Sequence, residues 1–219
     1  MKIVAISDTH MWNMPIDALP DGDVLVHAGD ATYRGRYGEV KQFAQDLEKH
    51  VDRYKHIVFV PGNHDRGFDQ DEKTFRAFFN HHKNVHILIN QEVVIDGVKF
   101  WGSPVCPPFG NWAFYLNDNR RELLWNNMMP DDVDVVITHG PPKGILDEVI
   151  DWNGKIVQTG CEFLAQRILK VQPKVHVFGH IHEGYGILDM YNIKFINASI
   201  MNERYKPVNN PLTFKIYQK

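Results

Sequence analysis

The sequence predicts an α/β fold, and three observations carry that expectation. Short apolar runs recur, each closed by turn chemistry; helical periodicity fills several of the gaps between them; and the runs lack the polar alternation of a half-exposed sheet, which suits strands buried on both faces. Lys2–Ser7, Asp23–His27 and His56–Val60 read as strands. Between the last two, Tyr37–Tyr54 places Val40, Phe43, Leu47 and Val51 at helical spacing, with Lys and Glu opposite. Asp71–Asn80 reads as a shorter helix before a strand at Val85–Ile89. Gln91–Trp101 is an apolar run interrupted by Asp96-Gly97, a hairpin signal. A helix over Asp118–Met128 then leads to a strand at Val133–Thr138, and a helix over Cys161–Val171 to a strand at Val175–Phe178. From Tyr185 onwards two or three strands are expected, with a turn at Asn209-Asn210-Pro211. No repeat, low-complexity segment or Gly/Ser linker divides the chain, so residues 1–219 are expected to form one domain.

Composition narrows the function classes. Hydrophobic residues at 43% and charged residues at 23% are ordinary globular values. No run approaches the ~18 apolar residues of a membrane span. The N-terminal apolar stretch, Ile3 to Ile6, gives way to Ser7-Asp8 too soon for a signal peptide. Two cysteines, Cys106 and Cys161, provide no disulfide framework and point to a reducing cytoplasm. Cys161 stands at a helix start without an apparent partner and reads as structural. With a net charge of −3 and no basic run, the chain is not expected to grip long nucleic acid. Twelve histidines are many for this length. Of these, His50, His56, His81, His82 and His86 read as ordinary surface or capping residues.

Five of the others, His10, His64, His139, His180 and His182, fall into a pattern. Five blocks carry would-be ligands: Asp8-Thr9-His10, Gly29-Asp30, Gly62-Asn63-His64-Asp65, Thr138-His139-Gly140 and Gly179-His180-Ile181-His182. Each follows an apolar run, and in α/β sheets the loops beyond the carboxyl ends of strands form the ligand crevice. Five strands would thus present ligands along one sheet edge. Residues two apart in extended chain point the same way, so Asp8 with His10, and His180 with His182, would act together unless a turn intervenes. Gly29, Gly62, Gly140 and Gly179 would let backbone pass close to an ion. Asp8, His10, Asp30, Asn63, His139, His180 and His182 supply two carboxylates, one amide oxygen and four imidazoles. That set holds two divalent cations if one carboxylate is shared, and such pairs clamp the attacking and leaving oxygens of phosphoryl transfer. Each block alone is weak; polar caps at strand ends are common, and only their joint occurrence in order makes that bland reading improbable. Phe100–Pro108, rich in Gly and Pro, reads as a loop rather than a boundary, because ligand blocks on both sides of it must meet.

The ordered set D-x-H, G-D, G-N-H-D, T-H-G and G-H-x-H resembles the calcineurin-like metallophosphoesterases over residues 8 to 182. Trp101-Gly102-Ser103-Pro104, Thr138-His139-Gly140-Pro141-Pro142, the stretch from Phe178 to Gly186 and Asn197-Ala198-Ser199 are similar to the narrower metallophosphoesterase-domain-containing group. The resemblance implies a four-layer α/β/β/α sandwich of two mixed sheets. It also implies that Asp8, His10, Asp30 and His182 hold one metal and that Asp30, Asn63, His139 and His180 hold the other, with Asp30 bridging. The chain keeps both histidines of the G-H-x-H block, which favours an active enzyme.

The expected reaction is phosphoester hydrolysis by a metal-bridging hydroxide, with small phosphodiesters or cyclic nucleotides as substrates. Manganese is the expected metal, with Fe, Zn or Mg as alternatives for this mixed donor set. His64, left over from the ligand count, is expected to protonate the leaving alkoxide or to donate to a phosphoryl oxygen. Asp65 either orients that imidazole or caps a turn. Trp12, Tyr33, Phe109 and Trp112 offer faces on which a base could stack, or else are core; Arg34 either reaches a phosphate or is a solvated surface residue. Competing readings are a phosphomonoesterase or protein phosphatase, a nuclease, and a non-catalytic metal- and nucleotide-binding scaffold. No membrane partner is expected, and oligomeric state is not legible.

Overall fold

The computed structural model describes residues 1–217; the last two positions of the expected domain lie outside the described residues. The elements run in the order β1 (Lys2–Ile6), β2 (Val24–His27), α1 (Tyr37–Glu48), β3 (His56–Phe59), α2 (Arg66–Gln70), α3 (Glu72–Ala77) and β4 (Val85–Ile87). They continue with β5 (Gln91–Ile95), β6 (Val98–Ser103), α4 (Asp118–Met128), β7 (Val135–Thr138), β8 (Glu148–Ile150) and β9 (Ile156–Gln158). Then follow α5 (Glu162–Val171), β10 (Val175–Phe178), β11 (Gly186–Met190), β12 (Ile193–Asn197) and β13 (Leu212–Lys215).

Two mixed sheets are formed, with strand orders β13-β1-β2-β3-β4 and β11-β12-β10-β7-β6-β5. Their central strands are parallel, and antiparallel strands sit at the edges: β13 in the first sheet, β11 and β5 in the second. The strand period of two then sorts side chains into layers. Ile3 and Ala5 of β1, with Val24 and Val26 of β2, meet Phe100, Ile137 and Val177 of the other sheet in one inter-sheet core. The alternate residues Val4, Ile6, Leu25, Ile57 and Phe59 turn outward onto Val40, Phe43 and Leu47 of α1. On the far side Trp101, Val136 and Phe178 pack on Trp125 of α4 and on Leu164 and Ile168 of α5. Helix, sheet, sheet, helix is the four-layer sandwich the resemblance implied.

Several expectations are corrected. The ligand-bearing strands are divided between two sheets rather than lying along one. The stretch read as a loop from Phe100 is β6 as far as Ser103, where Phe100 and Trp101 are buried core. The first helix ends at Glu48, and His50, expected as a surface or capping residue, is buried with its Nε2 2.8 Å from the Met14 carbonyl oxygen. The turn that follows carries the rest of the expected helix. Two short elements were not expected: α2, whose five residues are too few to show a period, and the β8–β9 hairpin, whose strands are largely exposed. By contrast, Asp96 and Gly97 adopt φ of 46° and 76°, the left-handed pair that an Asp-Gly hairpin turn requires. Among the described residues no helix is long and apolar enough to cross a membrane.

Candidate metal centre

All five ligand blocks leave the carboxyl ends of parallel strands: β1, β2 and β3 in one sheet, β7 and β10 in the other. The loops are stitched together within and across the sheets by backbone N–H donors. The Ile200 N–H donates to the Ser7 carbonyl at 2.9 Å, Gly179 N–H to the His139 carbonyl at 2.9 Å, and His180 N–H to the Asp8 carboxylate at 3.1 and 3.2 Å. Four of the seven expected ligands sit in left-handed backbone, Asp8 at φ 51°, His10 at 40°, Asp30 at 53° and His180 at 69°. Such conformations are uncommon outside glycine and persist where surrounding structure over-determines them.

The turns therefore override the two-residue alternation. Asp8 and His10 do gather, but with His182; His180 instead joins Asp30 and His139. The pair expected to act together is split between two groups. A third group, His10 with Asp30 and His64, overlaps both. Gly62 and Gly179 explain how the chain comes so near: a Cβ on Gly62 would overlap the Asp30 side chain, and one on Gly179 the Asp8 side chain.

Backbone carbonyls orient the imidazoles. Nδ1 of His10 lies 3.2 Å from the Thr32 oxygen, that of His139 2.9 Å from Ala28, that of His182 2.9 Å from Asn202, and that of His64 2.7 Å from Tyr33. A carbonyl only accepts, so each Nδ1 donates and each ring turns Nε2 inward. The inward atoms converge. On Asp30 Oδ2, His139 Nε2 stands at 3.3 Å and those of His10 and His64 at 3.9 Å each. His182 Nε2 is 3.4 Å from Asp8 Oδ1, and His139 Nε2 is 2.9 Å from Asn63 Oδ1.

The electrostatics of this cluster call for cations. Asp8 and Asp30 are 0% and 3% exposed, and no Lys or Arg pairs with either among the described residues. Burial alone would raise both carboxyls, yet His182 beside Asp8 and His139 beside Asp30 hold them well below the carboxylate range. Burial likewise opposes charge on His139 and His182, but the Asp30 and Asp8 carboxylates outweigh it and push each up to about 9. His180, where burial dominates, falls to about 4. The two buried anions are thus balanced by protons on imidazoles, in positions a divalent ion would take. His10 Nε2 is buried with no hydrogen-bond partner, an atom whose desolvation only a ligand would offset. The donor set fits divalent metal ions.

The remaining expected residues divide. His64 lies at the edge of the cluster with its side chain 15% exposed, its ring stacked on Trp112 at 4.0 Å and 22°. Trp112 and Phe109 line the cleft above the ligands, a space of about 570 Å³ that Pro107, Val149, Glu183 and Tyr205 also border. Arg34 is exposed, its guanidinium 6.0 Å from the Trp112 ring. Tyr33 stacks on His10 at 5.9 Å. Trp12 does not line the cleft; it packs on the cluster between the first sheet and α1, so its substrate role is corrected to core. Asp65 does not touch the His64 ring. Its carboxylate accepts from the Ala31, Thr32 and Gly62 amides and from the Thr32 hydroxyl, which joins two ligand loops. The group that orients His64 is the Tyr33 carbonyl, so Asp65 is a scaffold residue.

Four residues escaped the sequence reading. Tyr205 packs its ring 4.8 Å from that of His10 and 5.1 Å from that of His182. Asn202, three residues earlier, supplies the carbonyl that orients His182. Nothing in Asn202-Glu203-Arg204-Tyr205 marks a strand end, so no sequence signal placed them. His27 and His176 did carry one, as polar residues in otherwise apolar strands. His27 accepts from the Gly29 amide at 3.3 Å and bonds the Thr9 hydroxyl at 2.9 Å, linking the loops of Asp8, His10 and Asp30. His176 bonds the Thr138 hydroxyl at 2.8 Å, one residue before His139. The Asn197 side chain, from the Asn-Ala-Ser motif, donates to the Ile181 carbonyl at 2.7 Å and pins the turn between His180 and His182.

Known proteins resemble this chain in sequence and in fold. The family model for calcineurin-like phosphoesterase matches residues 1–184. Metallophosphoesterase domain-containing protein 1 of Homo sapiens is 37% identical over 236 residues, covering 98% of this chain and 71% of that one. A UPF0046 protein of Caenorhabditis elegans is 37% identical over 232 residues, covering 100% and 76%. Among solved structures, TT1561 of Thermus thermophilus superposes with a TM-score of 0.62 at 13% identity, over 90% and 88% of the two chains. The phosphopantetheinyl hydrolase of Mycobacterium tuberculosis gives 0.59 at 17%, over 93% and 90%, and at such identities the likeness concerns the fold. Relatives over nearly the whole length, together with a buried Asp/His centre at the ends of two sheets, place the chain in the calcineurin-like phosphoesterase family, as a metal-dependent hydrolase of phosphoester bonds.

Proposed function

We propose that residues 1–219 act as one domain and as a two-metal phosphodiesterase for small phosphodiesters, cyclic nucleotides among them. Asp8, His10, Asp30 and His182 would hold one ion, and Asp30, Asn63, His139 and His180 the other, with manganese as the favoured metal. The observation that carries this reading is the convergence of His10 and His139, from different ligand groups, on the single oxygen Asp30 Oδ2. When bound, the ions would supply Lewis-acid stabilisation of the phosphoryl oxygens and a water acidified toward neutrality.

The chain's own groups do the rest. His64, with Nδ1 held by the Tyr33 carbonyl, keeps Nε2 directed at the centre. As an imidazolium it would give the Nε2 proton to a departing alkoxide, an effect of about 10²–10⁴-fold. Trp112 fixes the plane of that ring by stacking, and with Phe109 and Tyr205 forms the wall that excludes water and receives a base or other flat group. The cleft volume of about 570 Å³ lies within the ~300–1,000 Å³ of small-molecule sites, which supports a small substrate over a polymer. Both cysteines are buried and free, which supports residence in the reducing cytoplasm.

The test is turnover of bis-p-nitrophenyl phosphate against p-nitrophenyl phosphate on metal-stripped protein with Mn²⁺ restored. Mn-dependent cleavage of the diester in preference to the monoester is expected. Preference for the monoester would replace this reading with a phosphomonoesterase, and silence on both with two ions bound would favour the scaffold.

A further inference from the structure

A second cluster of ligand atoms lies away from the phosphoesterase centre, at the carboxyl end of α1. Glu48 is the last residue of that helix, and His81 and His82 follow α3 in the turn that leads into β4. The turn is fixed from both sides. Phe79 is buried in the core, the His82 N–H donates to the Phe79 carbonyl at 3.0 Å, and the Val85 N–H donates to the His82 carbonyl at 3.2 Å. The two rings are held side by side, their centroids 4.0 Å apart. His82 Nε2 then stands 3.4 Å, and His81 Nε2 3.8 Å, from the same oxygen, Glu48 Oε1. One ligand atom from each residue falls within 4.8 Å of the other two.

Two features separate this cluster from an ordinary surface ion pair. His82 Nε2 is shielded from water yet makes no hydrogen bond, its contact with Glu48 Oε1 at 3.4 Å being an ion pair only if the imidazole is protonated. The geometry also matches a metal polyhedron. Zn–N and Zn–O bonds of about 2.0–2.2 Å in a tetrahedron separate neighbouring ligand atoms by about 3.3–3.6 Å. Two of the three edges are already near that length, and the Glu48 and His81 side chains, 54% and 59% exposed, are free to close the remainder. Their exposure also leaves the fourth position open to water. Two imidazoles with one carboxylate are donors that select Zn²⁺ and similar transition ions over Mg²⁺ or Ca²⁺.

We propose that Glu48, His81 and His82 form a peripheral binding site for a zinc-class divalent ion, which clasps the end of α1 to the segment before β4. The site is independent of the hydrolytic centre and of the substrate assigned to it.

The test compares the wild type with Glu48→Gln and with the double variant His81→Ala/His82→Asn. Zn²⁺ is titrated against a chromogenic chelator, with total metal per chain measured by elemental analysis. Wild type is expected to take up one Zn²⁺ equivalent more than either variant. At a hundredfold excess over the dissociation constant, its Zn-induced rise in Tm should exceed theirs by about 5–10 °C. The Mn-dependent turnover of the variants should equal that of the wild type, and Asp30→Asn should retain the extra equivalent. Equal stoichiometry and equal Tm shifts in wild type and variants would overturn the proposal, as would loss of this equivalent in Asp30→Asn.

Discussion

Adding a single methyl group at Gly62 tests whether the hydrolytic centre depends on its tightest approach. Gly62 has ordinary backbone torsions, so Gly62→Ala introduces no conformational strain and acts by volume alone. The new Cβ would stand 2.8 Å from His139 Cε1 and would overlap both the Asp30 amide nitrogen and its Oδ1. Carbon atoms settle at about 3.5–4.0 Å, so His139 must retreat by about 0.7 Å. Asp30 offers no easier exit, because one of the clashing atoms is backbone. The displaced residues are the carboxylate proposed to be shared and a proposed ligand of the second ion. A misplacement near 1 Å costs about 10²-fold in rate, and kcat/KM for a phosphodiester should fall by about that factor with Mn²⁺ saturating. Overpacking of about 1–3 kcal/mol, at about 2–4 °C per kcal/mol for this size, should lower Tm by about 2–12 °C, so the variant stays folded in an assay at 25 °C. Gly38→Ala is the control: it lies in α1 with no atom within 4 Å of the added carbon. Its activity should be unchanged and its Tm equal or slightly higher. A Gly62→Ala enzyme with wild-type kcat/KM and two ions bound would refute the placement of Asp30 and His139 against this loop.

Four further perturbations probe separate parts of the structure. Asp30→Asn, made in a Glu48→Gln background that removes the peripheral group, should abolish uptake of both ions and all turnover, and elemental analysis finding one tightly held ion there would contradict a shared carboxylate. His64→Ala should keep its metals and slow alkyl esters by about 10²–10⁴-fold but p-nitrophenyl esters far less; equal losses on both would remove the proton-donor role. His27→Phe fills the same space yet leaves the Gly29 amide and Thr9 hydroxyl without their partner, and a titration should show metal affinity lower by about 10–100-fold. His176 concerns acid stability rather than activity. Its Nε2–H donates to the Thr138 hydroxyl, which itself donates to the Gly140 carbonyl, while Nδ1 is buried without a partner. Burial lowers this imidazole to about 3, so the folded state stays neutral while the unfolded chain takes up a proton below its ordinary value of 6.5. Stability should therefore fall by up to about 1.4 kcal/mol per pH unit from about pH 6.5 downward. His176→Phe should flatten that limb in denaturant melts between pH 7 and pH 4.5, and an unchanged slope would assign the acid sensitivity to other groups.

The seven candidate ligands stood out because each follows an apolar strand at a point where a polar residue has no packing purpose. Their partition was not. His180 and His182 are two apart and read as partners, and only the left-handed turn at His180 sends them to different groups. The two sheets were also invisible from pattern alone, since Val135-Val136-Ile137 and Val24-Leu25-Val26 are equally apolar and each is buried on both faces. The exposed β8–β9 hairpin gave no alternation to detect. Asp65 illustrates a subtler limit: adjacency in G-N-H-D suggested a partner for His64, whereas its oxygens turn the other way to bind Thr32 and the Ala31 and Gly62 amides. Side-chain identity was readable, but the backbone carbonyls that set the tautomers of His10, His64, His139 and His182 carry no sequence signature.

That dependence on backbone has a consequence for how stability and activity are linked here. Asp30 is carried by the first sheet and His139 by the second, yet they meet at 3.3 Å. The spacing between them is set by the inter-sheet core, where Val26 and Val58 face Ile137 and Val177. Closely packed cores transmit small volume changes rather than absorbing them. A methylene removed from that layer therefore changes the distance between the two ligand groups as well as the folding free energy. The outer clusters beneath α1 and α5 bind helices to sheets and do not lie between the two halves of the centre. Equal losses of stability in the middle and outer layers are thus unequal for catalysis. The middle layer is the part of the core that belongs to the site.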